Sequence, residues 1–223
     1  MITARFREHY DGEFIITATT YKGGMKIQKR EFVPNSISNQ HISGRAAVIG
    51  QDETARADVI RLLENHRGGL LGQKKLQTYG CDGVWRKIRC DFYVETSVKE
   101  LADMVDKNYT TNTVVYSSTR NCLRFLEQLY PVPYAVRLAP GARAAYIAAF
   151  DGHQEVFIVG VDGINPHCVI DTQSTADMPH VFSAYPGVKF YLVTDGAPPP
   201  DSWRNFANVD TWDYRRFITY CDV

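Results

Sequence analysis

The apolar positions change rhythm along the chain. Residues 13–33, EFIITATTYKGGMKIQKREFV, alternate around Lys22-Gly23-Gly24, which predicts two strands joined as a hairpin. Residues 34–43, PNSISNQHIS, are polar and turn-rich and read as a connection. From Gly44 onward short apolar runs alternate with segments of helical period. The spacing predicts strands near 46–50, 76–80, 92–95, 113–117, 155–161 and 188–194, and helices over 53–65, 98–108, 119–129 and 141–150. In the first helix Val59, Ile60, Leu62 and Leu63 form the apolar side, leaving Arg56, Asp58, Arg61 and Glu64 for solvent or ligand. Strands alternating with helices predict an α/β fold: a Rossmann-like, mostly parallel sheet flanked by helices, with an N-terminal β-hairpin appendage.

This gives three parts: the hairpin and connection (1–43), the Rossmann-like domain (44–197) and an aromatic tail (198–223). Within the domain, 163–187 carries Pro166, Pro179 and Pro186 without a sustained period, and reads as a lid-like insertion. The tail follows Pro198-Pro199-Pro200 and holds Trp203, Phe206, Trp212, Tyr214, Phe217 and Tyr220. So many aromatics are expected to pack back on the sheet.

Composition narrows the classes. Twenty-five basic residues balance 25 acidic ones, so no general electrostatic footprint for nucleic acid is present. The five cysteines, Cys81, Cys90, Cys122, Cys168 and Cys221, lack the CxxC spacing of a zinc or redox pair and read as reduced thiols; no metal ligands are assigned. The N-terminus has no apolar signal region and no stretch approaches the roughly 18 apolar residues of a membrane span. The expectation is a protein of the cytoplasm with no membrane partner.

In open α/β sheets ligands bind beyond the carboxyl ends of the strands. Those ends supply Gly50, Gln51 and Asp52, then Gly80, Cys81 and Asp82, then Glu95, Thr96 and Ser97, then Ser117 and Ser118, then Asp162 with Gly163, and Asp195 with Gly196. Pro140-Gly141-Ala142 opens a small-residue helix whose amides could meet a phosphate or carboxylate. Each has a plainer alternative: Asp-Gly is common turn chemistry, Asp52 suits a helix N-cap, and Asp82 suits a short turn leading to Trp85. His153 precedes its strand and falls at the amino end, whereas His167 and His180 fall in the insertion, where a general base could reach the sheet edge.

Taken together, AAVIG with a polar turn and Arg56, TYGCDGVWR (78–86), CDFYVET (90–96), PGARAAYIAAF (140–150) and EVFIVGVDG (155–163) resemble one series. It looks like the sialyltransferase-like group: bacterial CMP-sugar sialyltransferases, motility-associated-factor glycosyltransferases, related pterin pyrophosphokinases and tailed-phage members. The resemblance covers about residues 44 to 163. It implies that Gly50 and Gln51 begin the nucleotide-binding turn, with Asp52 and Arg56 beside it. Asp82 stands at the family's asparagine, Gly160 and Asp162 at its Gly-x-Asp, and Gly141 at its ligand-facing loop. His167 or His180 falls where the family carries a histidine base. The departures are informative. The family's Asn-Gly-Pro-Ser has become Gln51-Asp52-Glu53-Thr54, and acidic groups facing an anionic nucleotide call for a divalent cation or for arginines such as Arg56 or Arg143.

Two functions follow. One is a phage-encoded nucleotide-dependent transferase, glycosyltransferase-like, with a CMP-type sugar donor and His167, His180 and Asp162 in catalysis. The other is a non-catalytic virion or assembly protein that keeps the scaffold and partners phage structural proteins.

Overall fold

The structure, a computed structural model, describes residues 2–5, 13–21, 24–32, 44–50, 59, 61–62, 76–132, 137–161 and 172–221. Near the N-terminus β1 (Ile2–Arg5), β2 (Glu13–Tyr21) and β3 (Gly24–Phe32) form an antiparallel sheet in that order. The expected hairpin is therefore β2 and β3, paired from Phe14 with Phe32 to Tyr21 with Gly24, with a register shift between Thr17 and Ala18. β1 adds a third strand that the sequence pattern did not predict.

The second sheet has eight strands, all paired in parallel. They are β4 (Arg45–Ile49), β5 (Gln77–Gly80), β6 (Phe92–Val94), β7 (Val114–Ser117), β8 (Tyr130–Pro131), β9 (Glu155–Val159), β10 (Lys189–Thr194) and β11 (Val209–Asp213). Their spatial order is β11-β10-β9-β4-β5-β6-β7-β8. The chain winds outward from β4 to β8, then starts again beside β4 with β9 and winds the other way. The Rossmann-like α/β architecture expected from the sequence is the one observed.

Both faces are covered, as a parallel sheet requires. Alternation along β9 sends Val156 and Ile158 to one core and Phe157 and Val159 to the other; in β4, Ala46 and Val48 oppose Ala47 and Ile49. The first face carries α4 (Pro140–Phe150) and α5 (Thr172–Ala184). The second carries α1 (Val98–Asp106), the short α2 (Tyr109–Asn112) and α3 (Thr119–Arg124), α6 (Tyr214–Cys221) and the helical residues Val59 and Leu62. Every residue of α4 from Gly141 to Ala149 is buried. Its alanines explain how: with little side-chain bulk the helix lies close on β4, β5, β6 and β9.

Two segments differ from the sequence reading. The stretch read as a lid-like insertion contains α5, which buries Ser174, Met178, Val181 and Phe182 at helical spacing. Pro179 inside this helix cannot donate to the Thr175 carbonyl, and the Trp203 indole Nε1 donates to that oxygen instead, at 2.9 Å. The aromatic tail does pack on the sheet, and it also extends it, because β11 pairs with β10 from Val209 to Asp213. The Asn208 Nδ2 amide holds this join by donating to the carbonyls of Phe182, Tyr185 and Val188 at 3.1–3.2 Å.

Candidate functional site at the carboxyl edge of the parallel sheet

The strand order reverses between β4 and β9, and such a switch point is where an open α/β sheet offers a crevice. Gly50 leaves β4 there and its N–H donates to the Val159 carbonyl at 3.0 Å, while Cys81 N–H donates to the Ile49 carbonyl at 2.9 Å. A Cβ at position 50 would collide with the Gly160 carbonyl and the Val161 Cα, so only glycine fits. Gly160 itself has φ 59°, in the left-handed region. The two predicted ligand-binding glycines are thus brought together, with their backbones in contact at the floor of the switch point. Gln51, Asp52, Arg56, Asp162 and His167 lie outside the described residues.

Next along the edge is the turn after β5. Asp82 (φ 52°) and Gly83 (φ 81°) are both left-handed, and Val84 N–H closes the turn on the Cys81 carbonyl at 3.2 Å. Asp and Gly tolerate that backbone, which gives Asp82 a conformational reason to be there. The turn leads into a 3-10 helix at Val84–Arg86, capped at Gly83 without a side-chain hydrogen bond. The Tyr93 hydroxyl accepts from Gly83 N–H at 2.7 Å, and the Tyr93 ring reaches it by crossing Gly80, where a Cβ would stand 2.6 Å from the ring.

Beyond β6 stands Glu95, 5% exposed. Its Oε1 accepts from Thr96 N–H at 2.7 Å and Ser97 N–H at 2.8 Å, yet burial outweighs these bonds and raises the carboxyl pKa above the ordinary value. Ser97 and Ser118 cap α1 and α3, their oxygens accepting from Glu100 N–H and Asn121 N–H. Asn121 donates to the Thr96 carbonyl at 2.9 Å and Ser117 Oγ at 3.0 Å, and Ser117 Oγ donates to the Glu95 carbonyl at 2.5 Å. The serines predicted at the edge are therefore tied into the frame that fixes Glu95.

Two further candidates come from α4 and α5. A Cβ on Gly141 would collide with Val161 and approach Ser174 Oγ to 3.1 Å, so its smallness admits protein neighbours from the β9 loop and α5. Arg143, two residues on, is buried at 8% exposure. Burial lowers its pKa, opposed by Asp177 and Glu95. Asp177 was absent from the expected set because its helix did not show in the pattern. His180 is also on α5, exposed, three residues beyond Asp177 and turned away from the buried face that includes Met178 and Val181. His153 lies at the amino end as expected, fully buried, 3.0 Å from the Tyr79 hydroxyl, which donates to Asp151 Oδ2 at 2.5 Å.

Among the described residues no group of three His, Cys, Asp or Glu side chains could hold a metal ion, and no helix is long and apolar enough to cross a membrane. Cys81, Cys90, Cys122 and Cys221 are buried. No family model, curated protein or solved structure matches the chain.

Proposed function

We propose that this chain is a nucleotide-dependent transferase that takes a CMP-type sugar donor at the carboxyl edge of its parallel sheet. The observation that carries the reading is the switch point between β4 and β9, where Gly50 and Gly160 bring two strand-end loops together without intervening side chains. A nucleotide lying there has Asp82 on one side and the start of α4 on the other. In this scheme the acceptor hydroxyl gives its proton to His167 and its oxygen bonds the anomeric carbon of the sugar. The bond from that carbon to the phosphate oxygen breaks, and CMP leaves with the electron pair. A divalent cation travels with the nucleotide and offsets Asp52, Asp82 and Asp162. Calorimetric titration with CMP, CTP and UDP, with and without magnesium, tests the reading. Saturable heat with a cytidine nucleotide is expected; no heat with any of the three overturns it.

One observation favours a second reading, a non-catalytic virion or assembly protein of a phage. The nine-residue β3 lies at the edge of the N-terminal sheet, and such an edge offers backbone groups to a partner strand. Fixed stoichiometry in purified particles would support this function, and absence from them would contradict it.

A further inference from the structure

We propose that Arg143 anchors an oxyanion-binding subsite at the carboxyl edge of the sheet, taking a phosphate group at the N-terminal end of α4. This deepens the nucleotide reading and rests on it for the identity of the molecule that carries the phosphate.

Arg143 Nε and Nη1 are buried and have no hydrogen-bond partner, and the side chain makes no ion pair among the described residues. A buried guanidinium left in that state is costly, and such a group calls for an explanation beyond packing. Side chains on a helix lean toward its N-terminus, so Arg143 leans toward the strand ends. Its electrostatic partners agree: Asp177 on α5 and Glu95 at the end of β6 both act on it.

Neither carboxylate accepts a hydrogen bond from Arg143 Nε or Nη1. Glu95 Oε1 is taken by the Thr96 and Ser97 amides. Asp177 Oδ2 accepts from Ala139 N–H at 2.7 Å, and Oδ1 accepts from Gln173 Nε2 at 2.8 Å. The same helix end has Ala139 at its N-cap with no side-chain cap bond, Pro140 in its first turn and no acidic residue there. The carboxylate at this end is therefore supplied from α5, by Asp177 on the Ala139 N–H, and none comes from the helix's own first turn. A phosphate oxygen would supply the acceptors that the guanidinium lacks, and the helix dipole would favour it.

The probe is inorganic phosphate at pH 8, with binding read by thermal unfolding and calorimetry on the full chain, alongside Arg143→Met and Glu95→Gln. Phosphate should raise the wild-type Tm saturably. Arg143→Met should bind at least about tenfold more weakly, because charge-assisted bonds are lost. Its Tm without phosphate should match or exceed that of wild type, because an unpaired buried charge is gone. Glu95→Gln keeps Arg143 and removes a nearby negative charge, so phosphate should bind about threefold or more tightly.

No wild-type response, or an equal response in Arg143→Met, overturns the subsite. So does a fall in Tm for Arg143→Met with phosphate binding retained, which marks a structural role. If that variant does not fold, unchanged affinity in Glu95→Gln overturns the proposal. A parallel titration with CMP separates the two claims. Phosphate binding lost in Arg143→Met, with CMP bound by neither protein, keeps the subsite and removes the nucleotide reading. CMP bound equally by both, with no phosphate response, does the reverse.

Discussion

Glu95, at the end of β6, is a buried carboxylate. Its backbone bonds favour the charged form, but at 5% exposure desolvation prevails and the folded pKa stands above the ordinary 4.5. The folded state therefore holds its proton to higher pH than the unfolded chain does. The resulting stability is fully present below the unfolded pKa and is lost as pH rises through the folded one. Glu95→Gln should flatten the fall in unfolding free energy that starts near pH 4.5, and should match or exceed wild type at pH 8. Urea unfolding across pH 4 to 8 checks this, and an unchanged slope contradicts it. Glu95 was legible as a strand-end residue because Phe92, Tyr93 and Val94 are continuously apolar before it. Its burial was not legible, since it depends on Ser117 and Asn121 arriving from a different strand and helix.

At the scale of elements, α5 and the segment around Trp203 stabilise each other. Pro179 removes one rung of the helix, and the Trp203 indole replaces it at the Thr175 carbonyl. Trp203→Phe keeps an aromatic ring but not the donor, and should cost about 2 kcal/mol. In a Pro179→Ala background residue 179 regains its N–H, so the same substitution should cost about 1 kcal/mol less. A double-mutant cycle by urea unfolding measures the difference, and strict additivity contradicts the pairing. This also explains why α5 escaped the sequence pattern. Ser174 is polar yet fully buried, and Pro179 reads as a helix breaker when its distant partner is unseen. The central strands β4, β5, β6, β7, β9 and β10 had clearer signals, because burial on both faces leaves apolar runs that no distant residue needs to complete. The helix expected over 119–129 ends at Arg124, its last turn being replaced by a turn into the two-residue β8. So short a strand leaves no periodic signal.

For the whole molecule, the order of the eight strands matters most, because it sets which residues meet at each end of the sheet. At the amino end Arg45 Nε pairs with Glu155 at 3.1 Å and the Tyr220 hydroxyl donates to both Glu155 oxygens at 3.0 Å, beside a cavity lined by Arg45, Asp213, Arg216 and Tyr220. The carboxyl end gathers Gly50, Asp82, Glu95, Arg143 and Gly160, all legible as strand-end or helix-start positions, but their grouping follows from the strand order. The tail belongs to the same unit, since Trp203, Trp212 and Phe217 are buried with it. A chain ending at residue 197 should lose cooperative thermal unfolding, because it exposes these core contacts and the edge of β10; a retained sharp transition would contradict that. Whether ligand occupies the carboxyl edge is tested by crystals soaked with CMP and magnesium. Density is expected between Gly50, Gly160 and Arg143, with phosphate at the guanidinium. Density at the Arg45 and Glu155 end, or none at saturating CMP, would contradict it.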